Sequence, residues 1–203
     1  MSSRKIITVD GFYSDPDAVR NMALKLDYRS GAKYNYPGYQ ATRSAGTGKL
    51  GVAFEKLVGK PLAIDPQRFT FGGFRIVTDQ TGMMPKVHAD SAVDWAAIIY
   101  LTPNAQLRGG TGFYKHKETG LEGPPSDRLA RKMGFEDAIE FENQIVRRDM
   151  ADLDAWDLVS YTAPVYNRLI LFRGNQLYHA PLGGFGNTIQ DGRLIHIFFF
   201  NEK

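Results

Sequence analysis

Cysteine is absent from the 203 residues. That excludes disulfides, thiolate zinc sites, iron–sulfur clusters and a cysteine nucleophile. Long apolar runs are absent as well, so no segment reads as a membrane-spanning helix. An excess of one charge is also lacking. Lys and Arg number 25 against 22 Asp and Glu, and no block of five basic residues occurs, so nothing reads as a dedicated nucleic-acid surface. The start, Met1 to Lys5, carries no apolar stretch of the kind a signal peptide needs. The expected setting is the cytoplasm, with neither membrane nor nucleic acid as partner.

What is present suits a folded domain. The chain is 43% hydrophobic and 23% charged, near the globular average, and thirteen Phe, ten Tyr and two Trp are enough to fill a core. A single domain over 1–203 is expected. Residues 5–9 read as a strand ending at Asp10-Gly11. Asp15-Pro16 reads as helix cap plus first turn, and Val19, Met22, Ala23 and Leu26 follow at helical spacing. Residues 30–47 read as loop, rich in Gly, Pro, Tyr and Arg. Leu50, Ala53, Phe54, Leu57 and Val58 form a second amphipathic stripe. After Pro66 come short apolar runs bounded by turn residues: Phe69–Val77, Trp95–Leu101, Thr111–His116, Val165–Phe172 and Leu194–Phe200. Between them 126–157 reads as helical, capped by Ser126 and split at Gly134. Strands that do not alternate with helices point to an antiparallel sandwich or barrel with helices outside. Residues 1–66 would support a strand-rich core over 67–203, with a helical insertion at about 120–157.

Two glycine motifs fail on inspection. Gly46-Thr47-Gly48-Lys49 lacks the phosphate loop's earlier Gly, where Arg43 stands, and its Ser/Thr after Lys, where Leu50 stands. Gly184-Phe185-Gly186 has Ile189 where a dinucleotide fingerprint needs its third Gly. No Ser sits in a nucleophile elbow.

One constellation survives. In His88-Ala89-Asp90, residues two apart on an extended segment share a face, so imidazole and carboxylate point together as two ligands of one metal. His179, in a strand–turn context after the run 169–172, is the candidate third. Two His and one carboxylate leave one face of the metal open, the facial triad of non-haem Fe(II) oxygenases. Arg193 opens the last apolar run, 14 residues after His179. A guanidinium entering a core needs an anion, and its fork matches a carboxylate such as that of a keto-acid co-substrate.

In this order, His88-Ala89-Asp90, Ile98-Ile99-Tyr100-Leu101, Gly109-Gly110-Thr111, His179 and Arg193 leading into Leu194–Phe200, the chain resembles the Fe(II)/2-oxoglutarate-dependent dioxygenases of the prolyl-hydroxylase-like branch. More narrowly, Phe12-Tyr13-Ser14-Asp15-Pro16, Tyr36-Pro37-Gly38 and Tyr166-Asn167-Arg168-Leu169 resemble a bacterial subgroup of uncharacterised proteins in that superfamily. The resemblance implies a double-stranded β-helix (jelly roll, cupin-like) core with flanking helices. It implies Fe(II) on His88, Asp90 and His179, with Arg193 and Tyr100 on the far carboxylate of 2-oxoglutarate. Thr78 stands where the branch often has a tyrosine near the co-substrate; the hydroxyl is kept and the ring lost. O2 would complete the reactants, and the activity implied is hydroxylation of an unactivated C–H bond in a small molecule or an amino-acid or peptide side chain. The rival is a cupin-like metal or ligand binder without turnover, which needs neither Arg193 nor Tyr100.

Other residues divide by position. Trp95, Tyr114, Arg75 and Lys86 are candidate substrate contacts, with Arg173 also flanking the site. Met83-Met84 lies where a lid would sit, and the Tyr/Arg-rich loop 34–43 is a candidate cover for the mouth. Strand parity puts His196 on the face opposite Arg193, Ile195 and Ile197, as a structural or exposed residue. His116 reads as a satisfied histidine that binds no metal.

Overall fold

The computed structural model describes residues 5–31, 38–81 and 86–203. Tyr34, Tyr36, Pro37, Met83 and Met84 lie outside these, and with them the lid and residues 34–37 of the cover loop. The first strand, β1 (Ile6–Val9), leads into α1 (Pro16–Leu24). The Asp15 side chain accepts the Ala18 N–H at 2.9 Å, and Pro16 opens the first turn, where its missing N–H costs nothing. Helix α2 (Gly48–Val58) is capped by Thr47 and ends at Gly59, whose φ of 76° relieves the last turn. The phosphate-loop look-alike is therefore a helix start.

Between the helices the loop reading of 30–47 gives way to a hairpin. β2 (Tyr28–Ser30) pairs antiparallel with β3 (Tyr39–Ser44), Tyr28 opposite Ala41. Neither strand has an apolar period; the neighbouring β5 (Phe71–Val77) supplies the ladder that holds β3 extended. The remaining strands are β4 (Leu62–Ala63), β6 (Trp95–Tyr100), β7 (Thr111–His116), β8 (Trp156–Thr162), β9 (Leu169–Phe172), β10 (Tyr178–Pro181) and β11 (Arg193–Glu202).

Among the described residues the strands form two antiparallel sheets. One has eight strands, in the order β1-β9-β6-β11-β5-β3-β2 with β4 added to β11; the other runs β10-β7-β8. The fold is mainly β with flanking helices, and the two sheets face each other as a jelly-roll core. The strand β8 begins inside the segment read as helical. Its Leu158 and Val159 are half exposed at the sheet edge, so it carries no buried-strand pattern. The rest of the insertion breaks into α3 (Asp127–Lys132), α4 (Ala138–Phe141), a π-turn at Glu142–Val146 and α5 (Arg147–Asp149). Ser126 caps the first, and Gly134, at φ 93°, splits the segment.

Alternation along β11 separates two cores. Leu194, Phe198 and Phe200 pack outward with Phe71, Phe74, Ile76 and Trp95 against α1 and α2. Phe54 of α2 is the centre of that layer, with ring centroids of Phe198 and Phe200 at 5.0 and 5.3 Å. Ile195 and Ile197 turn inward with Ala96, Tyr100, Ile170 and Phe172 towards Phe113 of the small sheet. A third core lies behind the small sheet, where Tyr114, Trp156 and Tyr178 meet Phe141, Ile145 and Val146 of the insertion. The layers are helices, large sheet, small sheet, insertion, and the space between the sheets is left for the site.

Candidate metal centre

His88 and His179 sit side by side because their backbones pair. His88 N–H donates to the His179 carbonyl at 3.1 Å, and His179 N–H to that of His88 at 2.8 Å. Each imidazole donates its Nδ1–H to the carbonyl two residues before it: His88 to Lys86 at 2.8 Å and His179 to Leu177 at 2.9 Å. A carbonyl only accepts, so the proton is fixed on Nδ1 and the lone pair on Nε2. Those Nε2 atoms face Asp90, at 3.8 Å for His88 and 3.7 Å for His179. All three donor atoms lie within 4.8 Å of one another.

The carboxylate is held from behind. Asp90 N–H donates to the Gly174 carbonyl at 2.8 Å, and an added Cβ on Gly174 would stand 2.1 Å from Asp90 Oδ2. Gly174 is thus a cradle that only a hydrogen side chain permits. Oδ2 itself is buried and has no hydrogen-bond partner among the described residues. A buried carboxylate oxygen without a partner is costly, and a cation at the focus of the three donors removes that cost. Burial pushes the His179 pKa down to about 4, against the pull of Asp90, so the imidazole is neutral and able to ligate at physiological pH. Two nitrogens and one oxygen on one side suit non-haem iron, and the geometry fits the group expected from the sequence.

The three residues open onto a cavity of about 620 Å³ between the sheets. Its apolar wall includes Ala96, Ile98, Phe172, Ile195, Ile197 and Phe199. Arg193 lines its depth, 3% exposed. Its Nε donates to the Gly109 carbonyl, and the glycine permits this approach because a Cβ there would run into the Phe185 ring. Burial pushes the guanidinium pKa down, and among the described residues no carboxylate lies within ion-pair distance of it. Tyr100 packs beside it, the guanidinium carbon 5.6 Å from the ring centroid. The Tyr100 hydroxyl pairs with Thr111 Oγ1 at 2.7 Å, and burial pushes its pKa up. Thr111, not Tyr100, lines the cavity.

Arg75 and Lys86 also line it. Three residues named from the sequence stand elsewhere. Trp95 is on the outward face of β6, donating from Nε1 to Glu202 Oε1 at 3.1 Å under the Arg173 guanidinium. Tyr114 faces the insertion core, because inward and outward positions alternate on β7 and Phe113 takes the inward one. Thr78 lies past the end of β5, where its hydroxyl meets Thr81 Oγ1 at 3.1 Å in a turn. Parity alone would have excluded Trp95, since Ile98 and Tyr100 occupy the inward positions. His196 is buried against Phe74, its ring centroid 4.0 Å away, with Nδ1 2.8 Å from the Tyr13 hydroxyl. His116 lies outside the cavity, with Nε2 2.9 Å from Asp149 Oδ2 and Nδ1 3.1 Å from Thr119 Oγ1.

The sequence reading missed Glu142, Arg147 and Met150, which form the wall supplied by the insertion. Residues five apart on an α-helix point about 140° away from each other, so a helical wheel separates Glu142 from Arg147. The π-turn closes this gap: Arg147 N–H donates to the Glu142 carbonyl, an i to i+5 bond that brings both side chains towards one side. Burial pushes the Glu142 carboxyl pKa up, opposed by Arg147 and His88.

A family model described as "Family of unknown function (DUF6445)" matches residues 1–200. The chain belongs to this DUF6445 family. No curated protein matches the sequence. Among solved structures, the DUF6445 chain is similar to HygX from Streptomyces hygroscopicus with nickel, 2-oxoglutarate and hygromycin B bound. The TM-score is 0.55 at 11% identity, over 99% of this chain and 84% of that one. HygX with nickel and 2-oxoglutarate gives a TM-score of 0.52 at 12% identity, over the same shares. A Pseudomonas putida prolyl-4-hydroxylase gives 0.47 at 13% identity, over 98% of this chain and 93% of that one. The likeness to HygX establishes that the DUF6445 chain has that protein's fold. Among its described residues no helix is long and apolar enough to cross a membrane.

Proposed function

We propose that this chain is an Fe(II)- and 2-oxoglutarate-dependent oxygenase that hydroxylates an unactivated C–H bond of a small molecule or an amino-acid or peptide side chain. One observation carries the reading. A two-histidine, one-carboxylate focus, with an orphaned buried Asp90 oxygen, shares a cavity with a buried guanidinium that has no carboxylate partner among the described residues. Each half needs a ligand, and Fe(II) with 2-oxoglutarate answers both. HygX, similar in fold, has been solved with nickel and 2-oxoglutarate bound.

Bound Fe(II), with 2-oxoglutarate and O2, supplies the oxidising chemistry, releasing succinate and CO2. The rest is work for the chain. His88 and His179 present Nε2 lone pairs because their Nδ1 protons are engaged. Asp90 adds the charge that a divalent ion needs, and it is this carboxylate that favours hydroxylation over halogenation. Arg193 pairs the far carboxylate of 2-oxoglutarate, at a depth where water competes little. The Tyr100–Thr111 hydroxyl pair is the polar neighbour of that carboxylate. The apolar wall of Ile98, Ile195, Ile197 and Phe199 keeps water from the reacting carbon.

The test is to add 2-oxoglutarate to the anaerobic Fe(II) protein and record the visible metal-to-ligand charge-transfer band. The band is expected in wild type, absent in His179→Ala and weakened in Arg193→Ala. Stoichiometric iron without a band would transfer the reading to the cupin-like metal binder.

A further inference from the structure

The charges around the cavity do not balance. Its wall carries four cations, Arg75, Lys86, Arg147 and Arg193, against two carboxylates, Asp90 and Glu142. A divalent metal and dianionic 2-oxoglutarate cancel each other. They occupy the three donors and Arg193, and leave the positive excess towards the mouth. There the residues come from two sides. Lys86 precedes His88, while Arg147 and Glu142 come from the π-turn. The two sides are tied by Val87 N–H donating to the Met150 carbonyl at 2.8 Å. Among the described residues neither Lys86 nor Arg147 has a carboxylate within ion-pair distance. Arg147 acts on the Glu142 carboxyl through space, and among the described residues the two form no ion pair.

The π-turn itself bears on the question. On a regular α-helix Phe141 and Val146, five apart, would point about 140° away from each other, yet both are buried with Ile145 behind the small sheet. The wider turn keeps those three buried and still aims Glu142 and Arg147 into the cavity. Single π-turns are uncommon and concentrate at functional sites.

We infer that Lys86 and Arg147 are substrate-binding residues that hold an oxyanion of the substrate, a carboxylate or phosphate, in the cavity onto which the three metal donors open. Glu142, beside them, accepts from a hydroxyl or amine of the same molecule. The substrate class is a small anion, and hygromycin B, bound in HygX, serves as the contrasting probe. The inference rests on the oxygenase reading in taking this cavity as the substrate site.

The test uses the full chain loaded with redox-silent Ni(II) and saturating 2-oxoglutarate, so that Arg193 is already occupied. Glutarate, inorganic phosphate, glycerol and hygromycin B are titrated by calorimetry at low and high salt. Glutarate or phosphate is expected to bind without displacing 2-oxoglutarate, more weakly at high salt. Arg147→Gln and Lys86→Gln are each expected to weaken it about tenfold, while Arg147→Lys and Lys86→Arg keep most of the affinity. Comparison of the two anions separates a carboxylate site from a phosphate site. Anions that bind only in competition with 2-oxoglutarate, that ignore both Gln variants, or that do not bind at millimolar concentration overturn the inference. So does tighter binding of hygromycin B. Should Ni(II) and 2-oxoglutarate themselves fail to bind, the oxygenase reading falls. Loss of anion binding by the metal-free Arg147→Gln chain would then still sustain the anion site.

Discussion

Replacing Gly174 by alanine tests the proposed metal centre without replacing any of the three proposed ligands. The new methyl would lie 2.1 Å from Asp90 Oδ2, 2.9 Å from its Cγ and 3.1 Å from its Cβ. Ordinary contact needs about 3.5 Å, so the carboxylate must retreat by roughly 1 Å or more. The backbones are not free to part. Asp90 N–H is bonded to the Gly174 carbonyl at 2.8 Å, and Gly174 N–H to that of Asp94 at 3.1 Å. The side chain therefore swings, and Oδ2 leaves the focus it shares with the two imidazoles. Metal–ligand distances tolerate only about 0.2 Å, so the shift amounts to loss of the ligand. Disturbing a residue that orients a ligand costs about 10- to 100-fold in metal affinity, and Gly174→Ala is expected at the upper end. Titration of the metal-free protein with Ni(II), followed by calorimetry, measures it. Gly174 is not in the left-handed region, so alanine adds no backbone strain and the metal-free variant is expected to fold. Asp90→Ala and the double variant close the cycle, and the second change is expected to add nothing to the first. A Gly174→Ala protein that binds Ni(II) within twofold of wild type would refute the cradle and, with it, the assignment of Asp90 Oδ2 to the metal.

Other expectations follow from the packing and the charges. Phe54→Ala removes the centre of the outer core and is expected to cost about 3–5 kcal/mol in urea unfolding; less than about 1 kcal/mol would mean that α2 is not fixed by this ring. Asp149 is held down to a pKa of about 2, by Arg148 first and then His116. Its contribution to stability is therefore complete above its unfolded pKa near 4 and lost as the pH falls through about 2. The difference in melting temperature between wild type and Asp149→Asn should be constant above about pH 5 and shrink towards pH 2; a difference that grows on acidification contradicts the pairing. Ni(II) at 100 times its Kd should add about 2.7 kcal/mol to wild-type stability and nothing to His179→Ala, read as a thermal shift.

The core strands were legible in the sequence because burial on both faces writes itself as apolar runs. Trp95–Tyr100 and Arg193–Phe200 could be seen as strands without a structure. Alternation then placed Arg193 inward and His196 outward, and the same rule applied to β6 would have withdrawn Trp95. The triad was legible for another reason: the two-residue spacing of His88 and Asp90 is local, and only His179 had to be brought by the fold. The hairpin of β2 and β3 was not legible, since Gln40, Thr42 and Ser44 carry no period and depend on β5 for their ladder. Strand β8 was hidden by its own exposure. Gly174 looked like any turn glycine, because what forbids a Cβ there is Asp90, 84 positions earlier in the chain.

The π-turn marks the deeper limit. A helical wheel assumes one angle per residue, so it assigns each position of 138–150 to one face by its number alone. The chain breaks that rule over Glu142–Val146, which ends with Arg147 N–H bonded to the Glu142 carbonyl, and every position after the π-turn is rotated relative to those before. Phe141, Ile145 and Val146 satisfy the small sheet, so hydrophobic burial alone accounts for the segment lying where it does. The extra residue serves that burial too, since Phe141 and Val146, five apart, would point about 140° away from each other on a regular helix. What the extra residue also achieves is to aim a cation and a carboxylate into the space facing the two histidines. The same turn thus serves the packing behind the small sheet and sets the charge of the cavity wall. On the proposed oxygenase reading, the insertion is where substrate choice would be set, while the sheets would hold the metal and co-substrate.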